Sequence, residues 1–179
     1  MPEYRRLRVE GGAYFFTVVL ADRRSDLLVR GVAALRASVA RVRALYPFTI
    51  DAWVVLPDHL HAVWTLPEGD ADFSTRWMLI KRGFSSRVGM GEHRSESRVA
   101  KGERGVWQRR FWERALRDET DFRRHVDYVH FNPVRHGVAG SAWEWPFSSF
   151  RRAVRRGDYP AGWGGHAVVE GDYGERRGS

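Results

Sequence analysis

An α+β sandwich, with helices laid on an antiparallel sheet of four or five strands, is the fold predicted by three features of the sequence. Strand-like and helix-like stretches alternate as strand, helix, strand, strand, helix, strand, helix. The second and third strands are separated only by Pro57-Asp58, which demands an antiparallel hairpin. The main helical stretches each carry an apolar stripe at spacings of three and four. This order is that of ferredoxin-like folds, with the helices on one face of the sheet.

Gly11-Gly12 is a turn signal, and the aromatic, β-branched run Ala13 to Leu20 is the first strand. After the charged turn at residues 22–26, Leu27, Leu28, Val32, Leu35, Val39, Val42 and Leu45 predict one long amphipathic helix ending at Tyr46-Pro47. Arg36, Arg41 and Arg43 lie on or near its polar side and read as a solvated face. Phe48 to Leu56 and His59 to Leu66 are the second and third strands. From Asp72 the pattern is helical again, with Phe73, Trp77, Ile80 and Phe84 inward and Asp70 or Asp72 as cap. Residues 89–105 are rich in Gly, Ser and charge and read as a mobile surface loop. Val106 to Leu116 is ambiguous, though its aromatic cluster suits a short fourth strand. A helix starts at Thr120, with Phe122, Val126 and Val129 as core stripe. Past Asn132-Pro133 the chain reads as irregular, with its last ten residues frayed.

At 179 residues the chain suffices for one domain, and 43% hydrophobic content with eight Trp excludes a disordered tail. Its net charge of +8 and pI of about 10.5 point to a polyanionic partner, nucleic acid first. Only Lys81 and Lys101 are lysine among thirty basic residues, so the excess is carried by arginine, which reads either as coding bias or as phosphate and guanine contact. With no cysteine, a disulfide framework, a thiolate zinc site and a cysteine nucleophile are excluded. No apolar run approaches the roughly 18 residues of a membrane span, and the N-terminus lacks a signal core, so a cytoplasmic protein is expected.

His59 and His61, two apart on a strand, project from the same face and can bind one cation together. Their flanks are apolar, so two imidazoles there are costly unless paired or ligated. Tyr128 and Asn132, four apart on the late helix, share one face, about 100° around from Val129. Taken alone they also read as a packed tyrosine and a helix cap, Asn132 with Pro133 being a good N-cap and N1 pair. His125, His130 and His136 read as structural histidines that can also serve as ligands or DNA contacts.

Together, Pro57-Asp58-His59-Leu60-His61, Trp107-Gln108 with Arg110-Phe111-Trp112, Asp127-Tyr128-Val129 running to Asn132-Pro133-Val134-Arg135-His136-Gly137, and Trp145-Pro146-Phe147-Ser148-Ser149 resemble the REP-associated tyrosine transposases, single-tyrosine members of the HUH endonucleases. The resemblance runs in order from Tyr4-Arg5-Arg6 to about Gly162. It implies that His59, His61 and Asn132 hold a divalent ion, Mg²⁺ or Mn²⁺, and that Tyr128 attacks DNA. Related transposases often have Gln at the third position, where this chain has the shorter Asn. The implied substrate is single-stranded DNA carrying a REP-type hairpin, cleaved and rejoined through a 5′-phosphotyrosine by a nucleoid-associated monomer. The implied division is a catalytic domain over 1–140 and a basic, aromatic extension over 141–179 on or near the DNA-binding surface.

The chemistry needs this combination: a phosphodiester anion repels a phenolate, and a cation held by neutral imidazoles and an amide keeps its full charge to offset that. A phenol of pKa about 10 is protonated at neutral pH, so it also needs activation. Phosphate contact falls to Tyr4, Arg5, Arg6, Arg8, Arg109, Arg110, Arg123, Arg124, Arg151, Arg152, Arg155 and Arg156. Trp107, Phe111, Trp112, Trp143, Trp145, Phe147 and Phe150 are interleaved with them, and two or three of these rings are expected to stack on bases. Two other classes compete: a hairpin-binding module with a vestigial metal site, and a metal hydrolase. The second lacks a well-placed base, since Asp58 falls on the opposite pleat from the histidines.

Overall fold

The computed structural model describes residues 7–89, 96–102, 104–164 and 173. Tyr4, Arg5, Arg6 and most of the last ten residues fall outside them. Strands β1 (Ala13–Val19), β2 (Thr49–Val55), β3 (His59–Thr65) and β4 (Trp112–Ala115) form one antiparallel sheet in the order β2-β3-β1-β4. The ambiguous stretch 106–116 therefore does supply the fourth strand, with Trp112–Ala115 as its regular part and Trp107 making an isolated bridge to Leu20.

Nearly every side chain of β1 and β3 is buried, so both faces of the sheet must be covered. One face carries Tyr14, Phe16, Val18, Leu60, Ala62 and Trp64 under α2 (Val32–Leu45) and α3 (Phe73–Val88). Trp64 stacks on Trp77 of α3 at 4.3 Å. The opposite face presents Phe15, Val63, Val54 and Ala52 to α5 (Glu119–Arg135). Helices on one face alone was thus the wrong expectation. The central strands, buried on both faces, are the reason, because a sheet solvated on one side exposes every second residue.

The helix expected from Leu27 to Leu45 is divided into α1 (Leu27–Arg30) and α2 at Gly31. A Cβ at Gly31 would lie 2.9 Å from the Leu27 carbonyl and 3.0 Å from the Phe84 ring, so at the break α3 packs too close for a larger residue. Asp72 caps α3 by accepting from the Thr75 N–H, while Asp70 grips the buried Arg76 guanidinium at 2.6 Å. Residues 89–105 are not wholly loop, since Glu96–Ala100 forms the short α4. Helix α5 is capped by Asp118 rather than begun at Thr120. It also runs on through Pro133 to Arg135 instead of ending at Asn132. Beyond it lies a second missed element, α6 (Phe150–Arg155), too short for periodicity to show.

The segment before α6 completes the sheet edge. Phe147 O accepts from Val55 N–H, Ser149 N–H donates to Trp53 O, and the Ser149 hydroxyl accepts from Trp53 N–H. The Ser149 hydroxyl also meets Nε2 of His130, which is wholly buried on α5. Burial, with the charges of Arg152 and Arg156, pushes the pKa of His130 down to about 3. A histidine whose folded pKa lies below its unfolded 6.5 adds stability that is complete above pH 6.5 and is lost as pH falls toward 3. Acid unfolding should therefore cost wild type up to about 4 kcal/mol over that window from this residue. His130→Gln, which keeps a partner for Ser149, should flatten the denaturant midpoint against pH between 7 and 4.

Candidate active site

Two rows of side chains cross the sheet beneath α5. Val19 is opposite His59, and Thr17 is opposite His61 on one side and Trp112 on the other. Residues paired across antiparallel strands share a face. His59, His61 and Trp112 therefore all face α5, along with the ring of Phe15, which stacks on His61 at 5.5 Å.

Each histidine is held by its Nδ1. The Asp58 carboxylate lies 2.7 Å from His59 Nδ1 and 2.7 Å from Arg23 Nε. Burial alone would raise the Asp58 pKa, but the His59 hydrogen bond and charge and the Arg23 guanidinium outweigh it and hold it below the ordinary value. An ionised carboxylate only accepts, so His59 Nδ1 carries the proton and Nε2 offers a lone pair. Asp58 is thus the residue that orients His59; it sits in the turn before β3, free of the strand pleat. For His61 the partner is Thr17. The Thr17 hydroxyl donates its one proton to the Tyr173 carbonyl at 2.6 Å, so at 2.9 Å from His61 Nδ1 it accepts. His61 consequently also carries its proton on Nδ1 and its ring lone pair on Nε2. Both rings have the tautomer and support of metal-ligating histidines.

Helix α5 brings a stripe over these rings. Tyr128, Asn132 and His136 follow at i, i+4 and i+8 along one face. One ligand nitrogen from each of His59, His61 and His136 can be chosen so that all lie within 4.8 Å of one another. The donors are imidazole nitrogens from β3 and the end of α5, with outer partners in place for His59 and His61, and so fit a divalent cation. Asn132, expected as third ligand, is fully buried one turn before His136. In the sequence His136 lies past Asn132-Pro133, in a stretch that reads as irregular. The i+8 position acquires meaning only once the helix continues.

Tyr128 is 5% exposed, edge-on to the His61 ring at 5.3 Å. Tyr173 stacks flat on it at 3.6 Å, and the Arg135 guanidinium lies 5.3 Å from its ring centre. Tyr173, Arg135, Thr17 and Arg23 were not legible as site residues. The basic candidates divide. Arg124 shares the Tyr128 face of α5, whereas Arg123 pairs with Glu119 beside Asp127 and Asp158. Arg8 is exposed. Arg109 bonds the Ser97 hydroxyl, Arg110 and Arg155 are exposed, and Arg151 donates to Trp143 O. Of the aromatic candidates, Phe150 and Trp107 are core, while Trp112 is half-buried beside the site and Trp143 is exposed.

Thr17→Val removes the acceptor for His61 Nδ1–H while preserving shape. Titration calorimetry with Mn²⁺ should show about 10–100-fold weaker binding, the range for lost outer-sphere partners. An unchanged affinity would show that Thr17 does not orient the ring.

No helix among the described residues is long and apolar enough to cross a membrane. No family model matches the chain. It is 47% identical over 176 residues to the REP-associated tyrosine transposase of Escherichia coli K12, covering 98% of both chains. It is 39% identical over 175 residues to a protein of Haemophilus influenzae described as a putative REP-associated tyrosine transposase, covering 96% of this chain and 99% of that one. The structure of a REP-associated tyrosine transposase bound to a REP hairpin matches with a TM-score of 0.86 and 47% identity over the whole of both chains. Similarity of this depth over the full length, together with the paired histidines and the tyrosine facing them, makes the chain a member of the REP-associated tyrosine transposases.

Proposed function

We propose that this protein binds single-stranded REP-type hairpin DNA and cleaves and rejoins it through Tyr128. The observation that carries the reading is the position of Tyr128, buried edge-on to His61 beside the cluster of three histidines. The Tyr128 oxygen attacks a backbone phosphorus, forming a Tyr–O–P bond as the bond from phosphorus to the 3′ oxygen breaks. The phenolic proton leaves, the departing 3′ oxygen becomes a hydroxyl, and the 5′ phosphate stays on Tyr128. A 3′-OH from another strand reverses the step, so cutting and joining conserve the bond energy. Arg135, with its guanidinium over the Tyr128 ring, places a cation beside the incoming phosphate.

His59 and His61 would hold the cation with a third group from α5, His136 or Asn132. A bound divalent ion offsets charge on the scissile phosphate. Of Mg²⁺ and Mn²⁺, an imidazole-rich set favours Mn²⁺. Trp112, Arg124, Arg8 and the exposed arginines of the β4 approach and α6 would carry the strand, with the 141–179 extension adjoining that surface. The protein would act in the cytoplasm at the nucleoid. Because residues 147–149 occupy the β2 edge, a second copy has no strand to pair with there, and light scattering at micromolar concentration should give a monomer mass.

The test uses hairpin DNA labelled at either end, incubated with Mn²⁺ or Mg²⁺ and run on a denaturing protein gel. A metal-dependent protein band carrying only the label 3′ of the cut is the expected outcome. A native-gel shift with no covalent band under any divalent ion would leave a binding module instead.

A further inference from the structure

On the sheet face away from Tyr128, α2 and α6 border a cleft of about 340 Å³. Its floor is apolar, with Val39 of α2, Trp53 of β2 and the ring of Phe147. Arg36 and Arg43 project from α2, and Arg152 from α6. Among the described residues none of the three makes an ion pair: Arg36 has no polar partner there, Arg43 donates to Phe48 O, and Arg152 donates to Ile50 O. Burial, then the charges of Arg156 and Arg43, holds the Arg152 pKa below its ordinary value, so these cations crowd one another. A helix face with Arg36 and Arg43 reads in sequence as solvated; their convergence on an apolar cleft with Arg152 gives them a common target.

We infer that this cleft binds one unpaired nucleotide of the DNA, its base against Trp53 and Phe147 and its flanking phosphates on Arg36, Arg43 and Arg152. The inference rests on the hairpin-binding reading above. Three features select this occupant. The volume suits one nucleotide, at the small end of ligand pockets. A ring floor rimmed by unpaired guanidinium groups is the chemistry that holds single-stranded bases and phosphates. A second copy of the chain, at net charge +8, is a poor match for a rim of three cations.

There is also a path from the catalytic face. Trp145 packs with the Tyr128 cluster and Phe147 with the opposite cluster, and their rings meet edge-on at 5.4 Å across the sheet edge. A strand leaving the Tyr128 site can thus follow aromatic surface around that edge to the cleft. The subsite would read strand outside the hairpin stem, away from the cut.

The test is an abasic scan. Each unpaired nucleotide of a REP-type hairpin substrate is replaced in turn by a tetrahydrofuran abasic unit, and binding is followed by fluorescence polarisation without divalent ion. The wild type is compared with Ala40→Trp, which fills the cleft from an exposed position, and with the double variant Arg36→Gln/Arg43→Gln. At one unpaired position, loss of the base should weaken wild type about tenfold and Ala40→Trp hardly at all. The double variant should lower the slope of log affinity against log salt by about 1.4, as for two lost single-strand phosphate contacts. If every abasic position weakens Ala40→Trp as much as wild type and the slope is unchanged, the cleft is not a nucleotide site, although hairpin binding stands. If wild type itself prefers no hairpin over scrambled single strands, the hairpin-binding reading fails and takes this inference with it. Matching melting temperatures for the three proteins exclude misfolding as the cause.

Discussion

Tyr128→Phe should lose covalent DNA adduct by about 10⁴-fold or more while binding hairpin DNA nearly as wild type does. The substitution deletes one oxygen from a ring whose packing is otherwise kept. Phenylalanine can still stack on Tyr173, meet Phe15 edge-on and lie under Arg135. A fall in melting temperature large enough to explain the loss is therefore not expected. Two other tyrosines near the site are poor substitutes. The Tyr159 hydroxyl donates to the Asp127 carboxylate, and burial, that bond and the carboxylate's charge raise its pKa far above that of a free phenol. Burial also raises Tyr173, though nearby arginines oppose the shift. If adduct survives in Tyr128→Phe, the label should be mapped by peptide digestion, and a hit on Tyr173 would overturn the assignment of the nucleophile.

Much of this site was legible because its residues lie on regular elements. The i, i+2 spacing of His59 and His61 needs only a strand to put both rings on one face, and the hairpin around Pro57-Asp58 is unmistakable. Tyr128 needs only one helix. The pieces that were not legible depend on tertiary proximity or on where an element stops. Thr17 is 44 residues from His61 and reads in sequence as an ordinary β-branched strand residue; only the β1–β3 register makes it the partner of His61 Nδ1. Tyr173 is 156 residues from Thr17 in a stretch without periodicity.

The proline illustrates the other cause. Asn132-Pro133 satisfies the rule for a helix start, and Pro is a common helix stop, so the chain beyond reads as irregular. Yet α5 continues for two more residues, and His136 N–H still donates to Asn132 O. A proline there removes one donor, and tertiary packing of Val129 and Asn132 against the sheet outweighs that loss. The same packing explains why α5 lies on a face of its own, since Val63, Val54 and Phe15 would otherwise be left to water. That misplaced boundary hid His136, and with it the choice of third metal ligand.

His59→Ala and His61→Ala should each weaken Mn²⁺ binding by more than about a hundredfold, beyond what losing an outer partner costs, and remove adduct formation with it. Either variant deletes one of two nitrogens fixed on a rigid strand, and no neighbouring donor on β3 can replace it. The informative pair is His136→Ala and Asn132→Ala. His136 is exposed at the end of α5, so its removal should leave the melting temperature of the metal-free protein almost unchanged. Asn132 is wholly enclosed, so its removal should destabilise the metal-free protein by about 1–3 kcal/mol whatever its role. If His136 is the third ligand, calorimetry shows metal affinity falling in His136→Ala to the level of His59→Ala, with Asn132→Ala retaining most of it. The reverse pattern assigns the position to Asn132 and makes His136 a bystander. Comparing metal affinity with metal-free stability separates the two, because a ligand weakens the first without the second, whereas a buried structural amide lowers the second first.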